Sequence, residues 1–198
     1  DVYKRQIEYR LMQLKRLYKA IRGSENAIFD ALHADFNKPA FESFATEVAL
    51  VQAEIKYFLR NLPNLMRPQR VKSSLASLPA SSHIYREPFG RSLIIGPWNY
   101  PVQLIFIPLV GAIAAGNCVL LKPSELTEKT TALIAKLIHA CFDEAYVAGV
   151  EGGPEVGKEV LSKQFERSFF TGSVCVGEIV DQASTKHPSP CALELGRK

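Results

Sequence analysis

The residues able to do chemistry fall in four clusters, each just after a short apolar run. Gly96-Pro97-Trp98-Asn99-Tyr100-Pro101 holds one amide side chain and two aromatics between prolines that fix the backbone on either side. Lys122-Pro123-Ser124-Glu125 sets a cation near a carboxylate, a combination suited to ribose hydroxyls. Thr171-Gly172-Ser173, followed by Gly177, offers glycines that let a backbone approach a phosphate, and the N–H groups of a helix start to bind it. Glu194-Leu195-Gly196 puts a carboxylate after the last apolar run. Each cluster alone has an ordinary explanation: core aromatics, a solvated lysine, a surface glutamate. The dinucleotide fingerprint G-x-G-x-x-G is absent.

The elements that must position these clusters are legible from periodicity. Leu93 to Ile95, Cys118 to Leu121, Tyr146 to Ala148, Ser168 to Phe170 and Cys191 to Leu195 read as strands. Between them Val102–Ala115, Thr127–Phe142, Pro154–Ser162 and Val174–Ala183 read as helices, the third opened by a proline at its first position. Such alternation predicts an α/β fold, a Rossmann-like parallel sheet with helices on both faces. Open parallel sheets bind ligands beyond the carboxyl ends of their strands, which is where all four clusters lie. A helical segment over 7–67 comes first. Ile7, Leu11, Leu14, Leu17 and Ile21 form one stripe, stopped by Gly23, with Ser24 expected to cap the next helix. Ile28, Ala31, Leu32 and Phe36 form a second stripe. Phe44, Val48, Val51, Ile55 and Phe58 form a third, opened by Pro39 and ended by Pro63. Its expected role is packing against the sheet domain. Residues 68–88, rich in Ser and Pro, read as a linker or loose hairpin, and 89–198 as a nucleotide-binding sheet domain. Asp1 to Gln6 resemble the translated end of a transposon tag and are set aside from the fold expectation.

Composition removes several function classes. A net charge of +4 is spread along the chain, and its densest cluster, Lys15, Arg16, Lys19 and Arg22, fits a solvated helix face better than a nucleic-acid site. Cys118, Cys141, Cys175 and Cys191 are far apart and form neither a disulfide framework nor a metal site; each reads as a small buried hydrophobe. No metal is expected. Cysteine usage points to a reducing compartment, so cytoplasm is the expected location, with membrane association of the whole protein left open. Val102 to Leu121 approaches the length of a membrane span, but Pro108, two glycines and Asn117 interrupt it, so it reads as a buried helix feeding a strand. Gly152 to Lys158 has the P-loop spacing G-x-x-x-x-G-K. Glu159 stands where a magnesium-binding hydroxyl is required, and Glu155 repels phosphate, so the match is read as chance.

In this order, the clusters closely resemble the landmarks of the aldehyde dehydrogenase superfamily: P-W-N-Y-P at Pro97–Pro101, K-P-S-E at Lys122–Glu125, F-T-G-S at Phe170–Ser173 with Gly177, and L-E-L-G at Leu193–Gly196. The short helical start and Ile94-Ile95-Gly96 resemble the class-3 branch, of fatty-aldehyde and coniferyl-aldehyde type. The resemblance implies oxidation of an aldehyde to an acid with NAD or NADP. It gives Asn99 an oxyanion-hole role and makes Glu194 the general base for thioester hydrolysis. It implies cofactor contacts from Ile95, Gly96, Pro97, Trp98, Lys122, Ser124, Glu125, Thr171, Gly172, Ser173, Val176, Gly177, Leu195 and Gly196. The family's nucleophilic cysteine lies beyond Lys198, so residues 1–198 are expected to be a fragment without activity of their own. Arg197 replaces the family's second glycine in L-E-L-G-G-K, and a bulky cation there would crowd the turn beside the cofactor. The partners implied are a small-molecule aldehyde and, for the whole protein, a second copy in a homodimer; no nucleic acid is expected. Two other readings stand beside this one: a non-catalytic nucleotide-binding module, and a cysteine-dependent, acyl-CoA-forming dehydrogenase of the same cofactor fold.

Overall fold

A computed structural model describes residues 2–77, 79–186 and 189–196. Helices α1 (Val2–Gly23) and α2 (Glu25–Phe36) are followed by one long helix in three parts: α3 (Ala40–Ser43), a π turn (Phe44–Val48) and α4 (Ala49–Leu65). Strands β1 (Gln69–Val71) and β2 (Ser82–Ile84) pair antiparallel. Then β3 (Arg91–Ile95), α5 (Pro101–Ala115), β4 (Cys118–Lys122), α6 (Glu128–Cys141), β5 (Val147–Gly149), α7 (Pro154–Leu161), β6 (Arg167–Ser173), α8 (Val174–Lys186) and β7 (Cys191–Gly196) alternate.

The five later strands form one parallel sheet in the order β5-β4-β3-β6-β7. The chain runs outward from β3 to β5, then returns to the other side of β3 with β6. The strand order therefore reverses between β3 and β6, which opens a crevice at their carboxyl ends.

Alternation along β3 sends successive side chains to opposite faces. Ile94 joins the core made with α1, α2, α4, α5 and α6. Leu93 instead faces Leu161 of α7 and Ala183 of α8. The first face holds most of the largest fully buried side chains, among them Phe106, Ile105 and Leu109 of α5 with Leu14, Leu32 and Ile55 from the helical segment. Segment and sheet thus share one continuous core. The second face is thinly covered, and Val174, Val176 and Ile179 of α8 stay exposed.

Several local expectations change. Ser24 sits at the α2 N-cap position but makes no side-chain cap. The helix starting at Ala40 passes through Pro63 and ends at Leu65: a proline in the last turn costs only one hydrogen bond, and Met66 N–H closes the turn on Leu62. Phe44, placed in the buried stripe, is exposed, because the π turn shifts the helix face there. Leu17 and Ile21 are fully buried, as the first stripe requires. No helix among the described residues is long and apolar enough to cross a membrane.

The helical segment also caps the sheet's helices. Neither Tyr100 nor Thr127, at the N-caps of α5 and α6, uses its side chain to cap. Glu47 Oε2 instead accepts Val102 N–H at 2.8 Å and Gln103 N–H at 3.4 Å. Asp35 accepts Lys129 N–H at 3.2 Å, Thr130 N–H at 2.8 Å and the Thr130 hydroxyl at 2.7 Å. At the other end of α5, buried Arg10 donates to Ala114 O at 3.2 Å. Gly116 there adopts φ 92°, and Arg10 occupies the space a Cβ would need. Carboxylates at helix starts and a cation at a helix end follow the macrodipole.

Candidate cofactor cleft and active-site loop

A solvent-open cleft of about 390 Å³ lies at the strand-order reversal, on the α7/α8 face. It collects Ile95, Gly96, Pro97 and Trp98 from the loop after β3, Lys122, Ser124 and Glu125 after β4, and Thr171, Gly172, Ser173 and Val176 from β6 and α8. Eleven of the fourteen expected cofactor residues therefore line one cavity. Gly177, Leu195 and Gly196 do not. A Cβ on Gly177 would stand 2.6 Å from Leu195 Cδ2, so this glycine lets α8 seat against β7. Gly172 lines the cleft, but its missing Cβ first makes room for Phe170, whose Cζ would lie 2.5 Å away.

The sequence reading missed Leu126, Gly153, Pro154, Gly157, Lys158, Leu161, Phe170, Ile179 and Val180, which complete the walls. The segment with P-loop spacing thus lines the cleft as a wall. It is a poor phosphate cradle, since Pro154 removes an N–H at the start of α7 and Lys158 Nζ pairs with Glu155 at 2.9 Å. Its position between a strand and a helix was the available signal.

Lys122 is buried at the end of β4 and donates to Glu125 Oε2 at 2.8 Å and to Pro123 O at 3.0 Å. Burial pushes the Glu125 carboxyl up. The hydrogen bond from Lys122, a backbone N–H and the Lys122 charge outweigh it, and the net shift is below the ordinary carboxylate value. The pair thereby fixes the Lys122 side chain at the cleft floor.

Beyond the cleft rim, Asn99 is exposed, and its Oδ1 accepts Tyr100 N–H at 3.1 Å. That contact commits the amide oxygen and leaves the NH2 as the outward donor. Phe36 stacks on Trp98 at 6.4 Å, and Lys38 Nζ sits 4.4 Å from the Tyr100 ring centre. Glu194 pairs in register with Thr171 and is exposed. Leu195 points to α8, so alternation sends Glu194 to the α5 face, the face that the Asn99 loop enters. Asn99 and Glu194 thus both lie at the carboxyl-end edge of the sheet, and neither lines the cleft.

The cysteines depart from expectation. Cys141 is buried, but Cys118 and Cys175 are exposed and Cys191 is intermediate; all four are free. Cys118 and Cys191 begin their strands, at the end of the sheet away from the cleft. Among the described residues no His, Cys, Asp and Glu cluster could hold a metal. Arg197, Lys198 and His187 lie outside the described residues.

Strand order, crevice and helix arrangement define a dinucleotide-binding domain of the doubly wound class. The sequence profile of the aldehyde dehydrogenase family matches residues 2–198, and the chain belongs to that family. Aldehyde dehydrogenase family 3 member B1 of Rattus norvegicus is 45% identical over 194 residues, 98% of this chain and 42% of its own length. The 4,4'-diaponeurosporen-aldehyde dehydrogenase of Staphylococcus aureus is 43% identical, over 97% of this chain and 42% of its own. Its relatives are those of the class-3 branch. Among solved structures, the substrate-bound state of Staphylococcus aureus AldH superposes with a TM-score of 0.95 at 43% identity, over 97% of this chain and 42% of that one. A Mycobacterium tuberculosis aldehyde dehydrogenase complexed with NAD+ gives 0.83 at 25%, covering 96% of this chain and 39% of that one. The chain spans about two fifths of the length of these relatives.

Proposed function

We propose that residues 1–198 are the cofactor-binding part of an NAD(P)-dependent aldehyde dehydrogenase that oxidises an aldehyde to a carboxylic acid. The observation that carries this reading is the cleft itself, which gathers residues from three strand ends at the point of reversal. The donor set fits a dinucleotide. Leu126, Pro154, Ile179 and Val180 offer apolar walls for a flat adenine. Lys122 and Glu125 offer a donor and an acceptor for ribose hydroxyls. The start of α8 offers backbone N–H groups for a pyrophosphate. When bound, the nicotinamide accepts the hydride.

The chain's own groups do the rest of the work that falls to it. The outward NH2 of Asn99 donates to the aldehyde oxygen as that oxygen gains charge. Glu194 takes a proton from the water that hydrolyses the acyl thioester, releasing the acid. The family resemblance puts the attacking thiol outside these residues: Cys118 and Cys191 lie at the far end of the sheet, Cys141 is buried at the end of α6, and Cys175 stands in the first turn of α8, where the pyrophosphate is read to bind. Residues 1–198 therefore bind cofactor without turning over. With Glu194 read as the water-activating carboxylate, the proposal favours hydrolysis over acyl transfer to coenzyme A. The whole protein is read as a homodimer.

The test is calorimetric titration of NAD and of NADP into residues 1–198 and into Lys122→Met. Heat with the parent chain and a weakened isotherm with the variant support the reading. A folded sample that takes up neither dinucleotide at millimolar concentration rules it out.

A further inference from the structure

We infer that Glu47 and Lys38 are positioning residues for the Asn99 amide, an inference that rests on reading Asn99 as the donor to the developing oxyanion. Glu47 is fully buried within the π turn Phe44–Val48. One carboxylate oxygen takes the first free N–H groups of α5, from Val102 and Gln103. The other holds Lys38 Nζ at 2.5 Å. Lys38 in turn lies over the Tyr100 ring, and Tyr100 N–H holds Asn99 Oδ1. With Phe36 stacked on Trp98, the helical segment holds Trp98, Tyr100, Val102 and Gln103, on both sides of Asn99.

The arrangement solves a specific conflict. Asparagine is among the strongest N-cap residues, and Asn99 stands beside the start of a helix whose own N-cap residue, Tyr100, offers no capping side chain. The unsatisfied N–H groups of α5 would compete for the Asn99 oxygen and draw the amide back onto the helix. Glu47 fills those N–H groups from a distant helix and frees Asn99 to face outward. Lys38 neutralises Glu47, whose charge would otherwise be stranded in the core, and orients Tyr100 through its ring.

Trp98 is the single tryptophan of the chain, so its fluorescence reports this loop alone. The experiment compares the parent chain with Glu47→Gln, Lys38→Met, Lys38→Arg and, as a control at the opposite end of the sheet, Glu166→Gln. It reads acrylamide quenching of Trp98 and the side-chain amide resonances of Asn99, assigned by their loss in Asn99→Ser. Trp98 is 51% exposed, so release of the loop raises its quenching constant about twofold. Glu47→Gln and Lys38→Met are expected to show that rise with displaced Asn99 resonances, and Lys38→Arg to restore both. Should Glu47→Gln fail to fold, the two Lys38 variants carry the comparison. Unmoved Trp98 and Asn99 signals in folded variants, or equal movement in Glu166→Gln, overturn the inference. None of these readouts needs cofactor or turnover, so a failure of loop positioning and a failure of dinucleotide binding are told apart.

Discussion

Asp35→Ala tests whether the helical segment holds the sheet domain through specific caps or only through apolar contact. Asp35 accepts three hydrogen bonds at the start of α6, two of them from backbone N–H groups. Loss of an N-cap costs about 1 kcal/mol. The Thr130 hydroxyl, in a fully buried residue, loses its partner, which adds about 1–3 kcal/mol. The variant is therefore expected to be about 2–4 kcal/mol less stable, a fall in melting temperature of about 5–15 °C for a chain of this size. Urea unfolding followed by circular dichroism measures it, with an unchanged m-value confirming that the folded state kept its area. Asp35→Asn keeps an acceptor and is expected to lose less than half as much. Thr130→Val removes the hydroxyl that would be orphaned, so Asp35→Ala is expected to cost less in that background, with a coupling of about 1 kcal/mol or more. A loss under about 0.5 kcal/mol, or strict additivity in the double variant, refutes the cap argument.

Other perturbations follow from the same structure. Gly172→Ala sets a Cβ against the buried Phe170 ring at 2.5 Å and is expected to lose about 1–3 kcal/mol, whereas Gly177→Ala meets the tip of half-exposed Leu195 and loses less; parallel thermal melts compare them. Glu166, held by Arg91 through side-chain and backbone hydrogen bonds, has its pKa lowered to about 2 from 4.5. Its contribution to stability is present above pH 4.5 and lost as the pH falls toward 2, so Glu166→Gln flattens the stability profile across that window; an NMR titration midpoint near 4.5 contradicts this. Exposed Cys118 and Cys175 are expected to react first with a thiol reagent. Burial pushes the thiols of Cys141 and Cys191 up, so both lag, and mass spectrometry of partly labelled protein gives the order.

The sheet was readable because parallel strands buried on both faces are short apolar runs, as in Leu93 to Ile95, and because each is punctuated by glycine or proline. The positions of Asn99, in the loop after β3, and of Lys122, at the end of β4, were readable for the same reason: they follow recognisable runs. What escaped was whatever depends on partners distant in sequence. Glu47 belongs to an amphipathic helix, where a glutamate reads as solvated until the fold buries it against α5. Ser24 and Thr127 carry the right chemistry for local caps, yet neither side chain caps its helix. Gly177 carries a second reason for being glycine that the sequence does not show: its missing Cβ admits Leu195.

These misses share one physical origin, and it changes what the helical segment does. Apolar packing alone would fix how far α5 lies from α1 and α4, but it is non-directional and tolerates sliding along the helix axis. The two polar contacts on α5 remove that freedom. Glu47 fixes its first turn and Arg10 its last, so the helix is held at both ends by groups of opposite charge from the same segment. The Asn99 loop begins where β3 ends and finishes where α5 starts. Its conformation is determined only when both anchors are fixed relative to each other. The sheet fixes one, and the helical segment fixes the other. Residues that never touch the cleft thereby determine where the amide points.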